Sequence, residues 1–217
     1  MNNTKSTQAL LISGIIASII VGIGEYLLHF IPEGPEGEIS MLFSVPLERA
    51  AIGHFIAVAG IPLYFSGYFG LMQFFKKTSE PLSIALLISG VISFTVGGIW
   101  VASRYFAAEV FQHSAGTPDF DFYLKSYEDH VQVLVWVLRV AVAFVSVIYI
   151  ILVLKNNDGL PKWLVAFNPI VILGIVISTV FWIKPVGIHA APIAMNVTHF
   201  IFFGAILLQN KKQLVNN

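Results

Sequence analysis

Six apolar stretches, each long enough to cross a bilayer, carry ionisable side chains within them, and that combination fixes the solvent in which this chain folds. A segment that enters hydrocarbon must satisfy its own backbone, which only helices and closed barrels do. A run of about 20 apolar residues matches the ~30 Å core of a bilayer. Of 217 residues, 57% are hydrophobic and 11% charged; a soluble domain carries about 25% charged residues. We therefore expect an all-α fold: a polytopic transmembrane helix bundle, residues 1–217 forming a single integral membrane domain. The spans are read at about 8–30, 49–75, 81–110, 124–154, 162–183 and 186–209.

Two of these readings, 81–110 and 124–154, exceed a bilayer span, so their ends at Ala107–Gln112 and Tyr123–Asp129 are expected to project beyond the hydrocarbon. Pro62, Pro169 and Pro192 fall inside helical patterns, which membranes tolerate because neighbouring groups re-satisfy the freed carbonyls. Short connections hold Lys76 and Lys77, Lys155 and Lys162, and Lys211 and Lys212, whereas the first loop holds Glu33, Glu36 and Glu38. The positive-inside rule then puts both termini in the cytoplasm, with Lys125 and Lys184 on the opposing side. The first stretch lacks a small-residue cleavage site and reads as a retained span.

Composition excludes several functions. The formal net charge is zero, leaving no basic field for nucleic acid. There is no cysteine, so disulfides, thiolate nucleophiles and cysteine-ligated metals are ruled out. No HExxH or similar spacing marks a zinc helix. A metal would require Glu25, His29, His54, His130 and His199 to converge in space, and no spacing specifies haem ligands or any other cofactor.

The polar residues concentrate toward one end of the spans. Glu25 and His29 form an i,i+4 pair in the first. His54 lies in the second, with Tyr64 and Tyr68 deeper, and Trp100 shares a face with Arg104 in the third. Ser89, Ser93 and Gly97 form a small-residue stripe suited to close helix approach. Glu128, Gln132 and Arg139 make one polar stripe down the fourth span, and His189, Asn196 and His199 another down the sixth. Intramembrane charge is costly and by default functional, so these stripes are expected to meet in a shared polar interior.

The catalytic candidates are Glu25, His54, Arg104, Arg139 and His199; the binding candidates are Glu128, Gln132, His189, Asn196, Trp100 and Tyr64. Glu25 and His54 would handle protons, an arginine would stabilise an anion, and Asn196 and His199 would orient the ligand. Glu25 and Glu128 are available to neutralise Arg104 and Arg139, in either pairing. The interfacial histidines His29, His113, His130 and His189 are expected to be incidental to the chemistry, His189 being kept only as a binding candidate. The ligand expected is a lipid or another apolar or amphiphilic molecule. A proton-coupled carrier and a structural partner protein, its polar stripes serving helix contacts, are the alternatives.

Several segments resemble a group of bacterial membrane proteins gathered only as a domain of unknown function. They are Gly24-Glu25, Gly60-Ile61-Pro62-Leu63-Tyr64 with Gly67, Gly97-Gly98, Phe167-Asn168-Pro169, and Asn196. Glu25 stands where an aspartate is usual, and Ser103-Arg104 where a histidine is expected. The resemblance implies a six-span bundle in a bacterial inner membrane and supplies no activity.

Overall fold

The computed structural model describes residues 2–31, 40–157 and 159–215, which form helices and turns with no strand among them. Helix α1 (Asn2–His29) is followed by a short α2 (Ser40–Ser44), then by α3 (Leu47–Phe75), α4 (Glu80–Ser114) and α5 (Phe120–Lys155). The chain continues through a 3-10 segment (Lys162–Phe167), α6 (Pro169–Trp182), α7 (Lys184–Ala190), a 3-10 turn (Ala191–Ile193) and α8 (Ala194–Val215). Among the described residues, five stretches are long and apolar enough to cross a membrane: Lys5–His29, Leu47–Phe75, Glu80–Ser114, Phe120–Lys155 and Lys184–Lys211. Large apolar side chains such as Phe106, Phe144 and Phe181 face outward. Extended apolar exposure of this kind marks a surface that meets lipid. The molecule is a multi-pass membrane protein.

The sequence expectation and the structure part at Pro169. The single helix expected over 162–183 is interrupted at Asn168, whose backbone is extended (φ −75°, ψ 152°). Its side chain accepts hydrogen bonds from the N–H groups of Ile170 and Val171 at 3.1 and 3.2 Å. Pro169, which has no N–H to satisfy, takes the first helical position. This N-cap starts α6 afresh, leaving a helix of 14 residues, about 21 Å and shorter than a bilayer core. Pro192 lies in a 3-10 turn between α7 and α8 whose backbone stays right-handed helical, so the expected span over 186–209 runs on as Lys184–Lys211. Pro62 is accommodated within a continuous α3.

Two helices run further than their apolar patterns indicate. Beyond position 110, Gln112 donates from Nε2 to the carbonyls of Leu42 and Val45, both at 2.9 Å, while the Phe111 ring packs edge-on against Phe120 and Tyr127. The extensions of α4 and α5 are thus held by α2 and by each other. Glu33, Glu36 and Glu38, on which the orientation reading partly depends, lie outside the described residues.

Lipid removes the hydrophobic drive for helix association, so close packing has to supply it. The α1–α3 pair achieves this by bringing backbone against backbone. A Cβ on Gly24 would sit 2.4 Å from the Ala57 nitrogen, and one on Gly53 2.6 Å from the Gly24 carbonyl oxygen. On α4 the closest approach falls at Gly90, where a Cβ would lie 2.0 Å from the Tyr68 ring. Gly97, in the expected small-residue stripe, has only Leu138 near it, at 4.0 Å. Around this centre α4 packs on α3 and α5, α8 packs on α1, and α6 rests mainly on α7 and α8.

Gly24→Val is expected to force α1 from α3 and cost at least the ~1–3 kcal/mol typical of overpacking. Gly204→Ala, where a Cβ meets nothing within 4 Å, should leave stability nearly unchanged. Denaturant titration of helicity in detergent micelles measures both.

Candidate functional site

Three helices build a buried polar centre. Glu25 and His29 come from α1, Tyr64 and Tyr68 from α3, and Asn196 and His199 from α8, and all six are buried. Each pair is three or four residues apart and so shares one helix face. The Asn196 amide joins the three helices: the Tyr64 hydroxyl donates to its Oδ1 at 2.7 Å, and its Nδ2 donates to Glu25 Oε2 at 2.6 Å. A side-chain amide carries an acceptor and a donor on one plane, so it links a hydroxyl to a carboxylate where neither could find water.

His199 is engaged at both ring nitrogens. Its Nδ1 lies 2.9 Å from the Met195 carbonyl and its Nε2 2.9 Å from the Tyr68 hydroxyl. A carbonyl only accepts, so Nδ1 carries hydrogen and Nε2 of the neutral ring accepts from Tyr68. Beneath, Tyr64 stacks on Phe94 with ring centroids 3.6 Å apart, which fixes its hydroxyl.

Beside this centre lies a cleft of about 720 Å³, within the range of small-molecule sites. Glu25, His29, Asn196 and His199 face it from α1 and α8, Trp100 and Arg104 from α4, and Arg139 from α5; α6 contributes only aliphatic groups such as Leu173 and Ile177. The Arg104 guanidinium is buried 4.5 Å from the Trp100 ring centroid, and its charge acts on both Glu25 and His29. Of the two arginines, Arg104 is therefore the one coupled to Glu25. Arg139 is exposed at the rim, 5.3 Å from the Trp136 ring centroid, and has no carboxylate within ion-pair distance among the described residues.

The structure brings together Glu25, Arg104, Arg139, His199, Asn196 and Trp100, with Tyr64 behind them. It does not bring His54, which is half-buried on α3 beside Phe55 and Tyr105, at ring-centroid distances of 4.9 and 5.6 Å. His54 precedes Tyr64 by ten residues, about 2.8 turns, which rotates it off the inward face. Glu128 and Gln132 are exposed, and only the Arg139 end of their stripe reaches the cleft. Glu128 is eleven residues from Arg139, about 16 Å along α5, too far to neutralise it. His189 is exposed, 2.7 Å from the Tyr26 hydroxyl.

His29 was passed over in the sequence as interfacial, yet it is only 4% exposed and lines the cleft. Its i,i+4 relation to Glu25 was the available signal. Its ring approaches the Pro192 carbonyl and lies 6.0 Å from the Trp100 ring. His29 Nε2 and Trp100 Nε1 are buried and have no hydrogen-bond partner among the described residues. Also among those residues, no three His, Cys, Asp or Glu side chains gather closely enough to hold a metal ion. The arrangement offers one carboxylate, one imidazole nitrogen and several N–H donors to a molecule in the cleft.

The Asn196 bridge makes a testable claim about coupling. Tyr64→Phe and Asn196→Leu should each destabilise the protein by ~1–3 kcal/mol through an orphaned buried polar group. The double variant should fall short of their sum by ~0.5–3 kcal/mol, as contacting residues do in a double-mutant cycle. Denaturation of the four proteins in one detergent measures the difference.

No curated protein and no solved structure matches the chain. A model for a family of unknown function, DUF6796, matches residues 1–213. That match takes in every element of the site, and the chain belongs to this family.

Proposed function

We propose that this protein, in a bacterial cytoplasmic membrane with both termini on the cytoplasmic side, binds an apolar or amphiphilic small molecule or lipid in the α1–α4–α5–α8 cleft. In this reading the 3-10 segment Lys162–Phe167 and α6 together make a sixth crossing, roughly 30 Å by their combined rise. Glu25 and His29 handle protons in the cleft, Arg104 stabilises negative charge, and Asn196 and His199 orient the groups around them. His199 suits orientation better than proton abstraction, because its acceptor nitrogen already faces the Tyr68 hydroxyl.

The observation that carries this reading is the composition of the cleft. Aliphatic walls from α5 and α6 face a wall that holds Glu25, His29 and Arg104. An interior serving only to fix helix order would pair its polar groups and close over them. Here two buried ring nitrogens have no partner among the described residues, and both border the cleft. Pockets with apolar walls and a few converging polar groups are the usual form of a small-molecule site.

The cleft can be filled without touching its polar groups. Gly97 lines it, with only Leu138 at 4.0 Å from an added Cβ, so Gly97→Phe places a ring in the space. Binding of a fluorescent amphiphile with a 12-carbon chain, measured by anisotropy in maltoside micelles, should weaken at least about tenfold in Gly97→Phe. Equal binding by the variant and the parent, both remaining helical and monodisperse, would refute the assignment.

A further inference from the structure

We propose that the cleft selects its ligand by an acidic, oxygen-bearing headgroup, a phosphate or carboxylate, held at the Arg139 rim while the apolar chain lies against α5 and α6. This rests on the reading of the cleft as an amphiphile site and adds the sign of the headgroup and the side from which it enters.

Two separate features lead to the acidic headgroup. The first is Arg139. It sits in the apolar part of α5, six residues beyond Val133, where the run begins, about 9 Å along the helix. A guanidinium at such a depth is costly without a counter-charge. Its described contact is the Trp136 ring on its own helix, with no carboxylate in ion-pair range among the described residues. Arginine is the side chain best shaped to grip a phosphate or carboxylate through two N–H groups.

The second feature is Trp100 Nε1. An indole N–H only donates, this one is buried without a partner among the described residues, and its side chain borders the same cleft. Both residues therefore offer hydrogens and ask for an acceptor. A cationic headgroup would satisfy neither of them and would meet the Arg139 charge.

The way in follows from packing. α5 is anchored mainly on α4, and α6 on α7 and α8, with comparatively little between α5 and α6 themselves. Arg139 on one side, and Ile170 and Ile177 on the other, line the cleft and are also exposed. The opening thus faces the flank of the bundle, where acyl chains lie, and not only its end. A ligand with a hydrocarbon tail can pass from the bilayer into the cleft without exposing that tail to water.

The test compares headgroups on one chain length. In maltoside micelles, native mass spectrometry would follow binding of dodecyl phosphate, dodecyltrimethylammonium and dodecanol to the full-length protein. Dodecyl phosphate should bind about tenfold or more tightly than either of the others, the scale of one charge-assisted contact. Arg139→Gln should erase that preference by weakening dodecyl phosphate far more than dodecanol, and Arg139→Lys should keep part of it. Trp100→Phe, which keeps an aromatic ring and loses the donor, should weaken dodecyl phosphate severalfold more than it weakens dodecanol.

Equal affinity for the three headgroups, or an Arg139→Gln protein that retains the full preference, overturns the proposal. The latter is the result expected if Arg139 only reaches along α5 toward the interface. If dodecanol binds and Gly97→Phe abolishes its binding, such a failure concerns the headgroup alone. If no amphiphile responds to Gly97→Phe, the underlying reading of the cleft fails as well. A parallel arm with dioleoyl phosphatidic acid in nanodiscs identifies the source: enrichment of that lipid on the parent protein but not on Arg139→Gln assigns a bilayer lipid. Selectivity for dodecyl phosphate alone assigns a single-chain amphiphile.

Discussion

The bridge that Asn196 makes between Tyr64 and Glu25 is the interaction on which the interior depends. Hydrocarbon leaves a buried carboxylate and a buried phenol two options, to find each other or to reach a cavity. A single amide lets three helices satisfy both groups at once, and it fixes the rotation of α8 against α1 and α3 in doing so. The Tyr68–His199 contact one turn deeper repeats the arrangement between α3 and α8. Helix identity and helix rotation are therefore set by hydrogen bonds, and helix separation by glycine.

The glycines and the polar bridge act together. With Gly24 and Gly53 in backbone contact, α1 and α3 are near enough for Tyr64 and Glu25 to share one asparagine. A larger residue at either glycine would widen that gap. The same geometry explains why the cleft forms alongside this centre. α1, α3 and α8 close on each other and turn Glu25, His29, Asn196 and His199 toward the cleft, whereas α5 and α6 meet the rest with bulky aliphatic side chains and leave space between them.

Much of this was legible in the residues, for reasons that can be named. Apolar length revealed the long helices because the bilayer imposes it. Depth within a span picked out Glu25, Arg104, Asn196 and His199, since a polar group far from water must face inward. Depth does not give azimuth, and that is where the reading of His54 went astray: it lies in a span but on the side of α3 that faces Phe55 and Tyr105. His29 was missed for the converse reason, because proximity to a helix end suggested water where α4 and the Pro192 turn in fact cover it. The break at Asn168-Pro169 was readable as punctuation, but its outcome depended on the Asn168 side chain capping a new helix, a tertiary choice that apolar periodicity does not record.

The 3-10 turn at Ala191–Ile193 has a mechanical consequence. A continuous helix transmits a push along its axis, so whatever displaced α7 would also drag Asn196 and His199. Through the 3-10 turn the backbone stays in right-handed helical geometry, at Ala191 (φ −57°, ψ −48°) and at Ala194 (φ −55°, ψ −40°), so Lys184–Lys211 runs as one rod. Ala191 and Pro192 border the cleft near one end of that rod, and Asn196 and His199 make their bonds a turn further along it. Pressure on the cleft wall is thereby carried along one axis to the amide that ties α1 and α3 together.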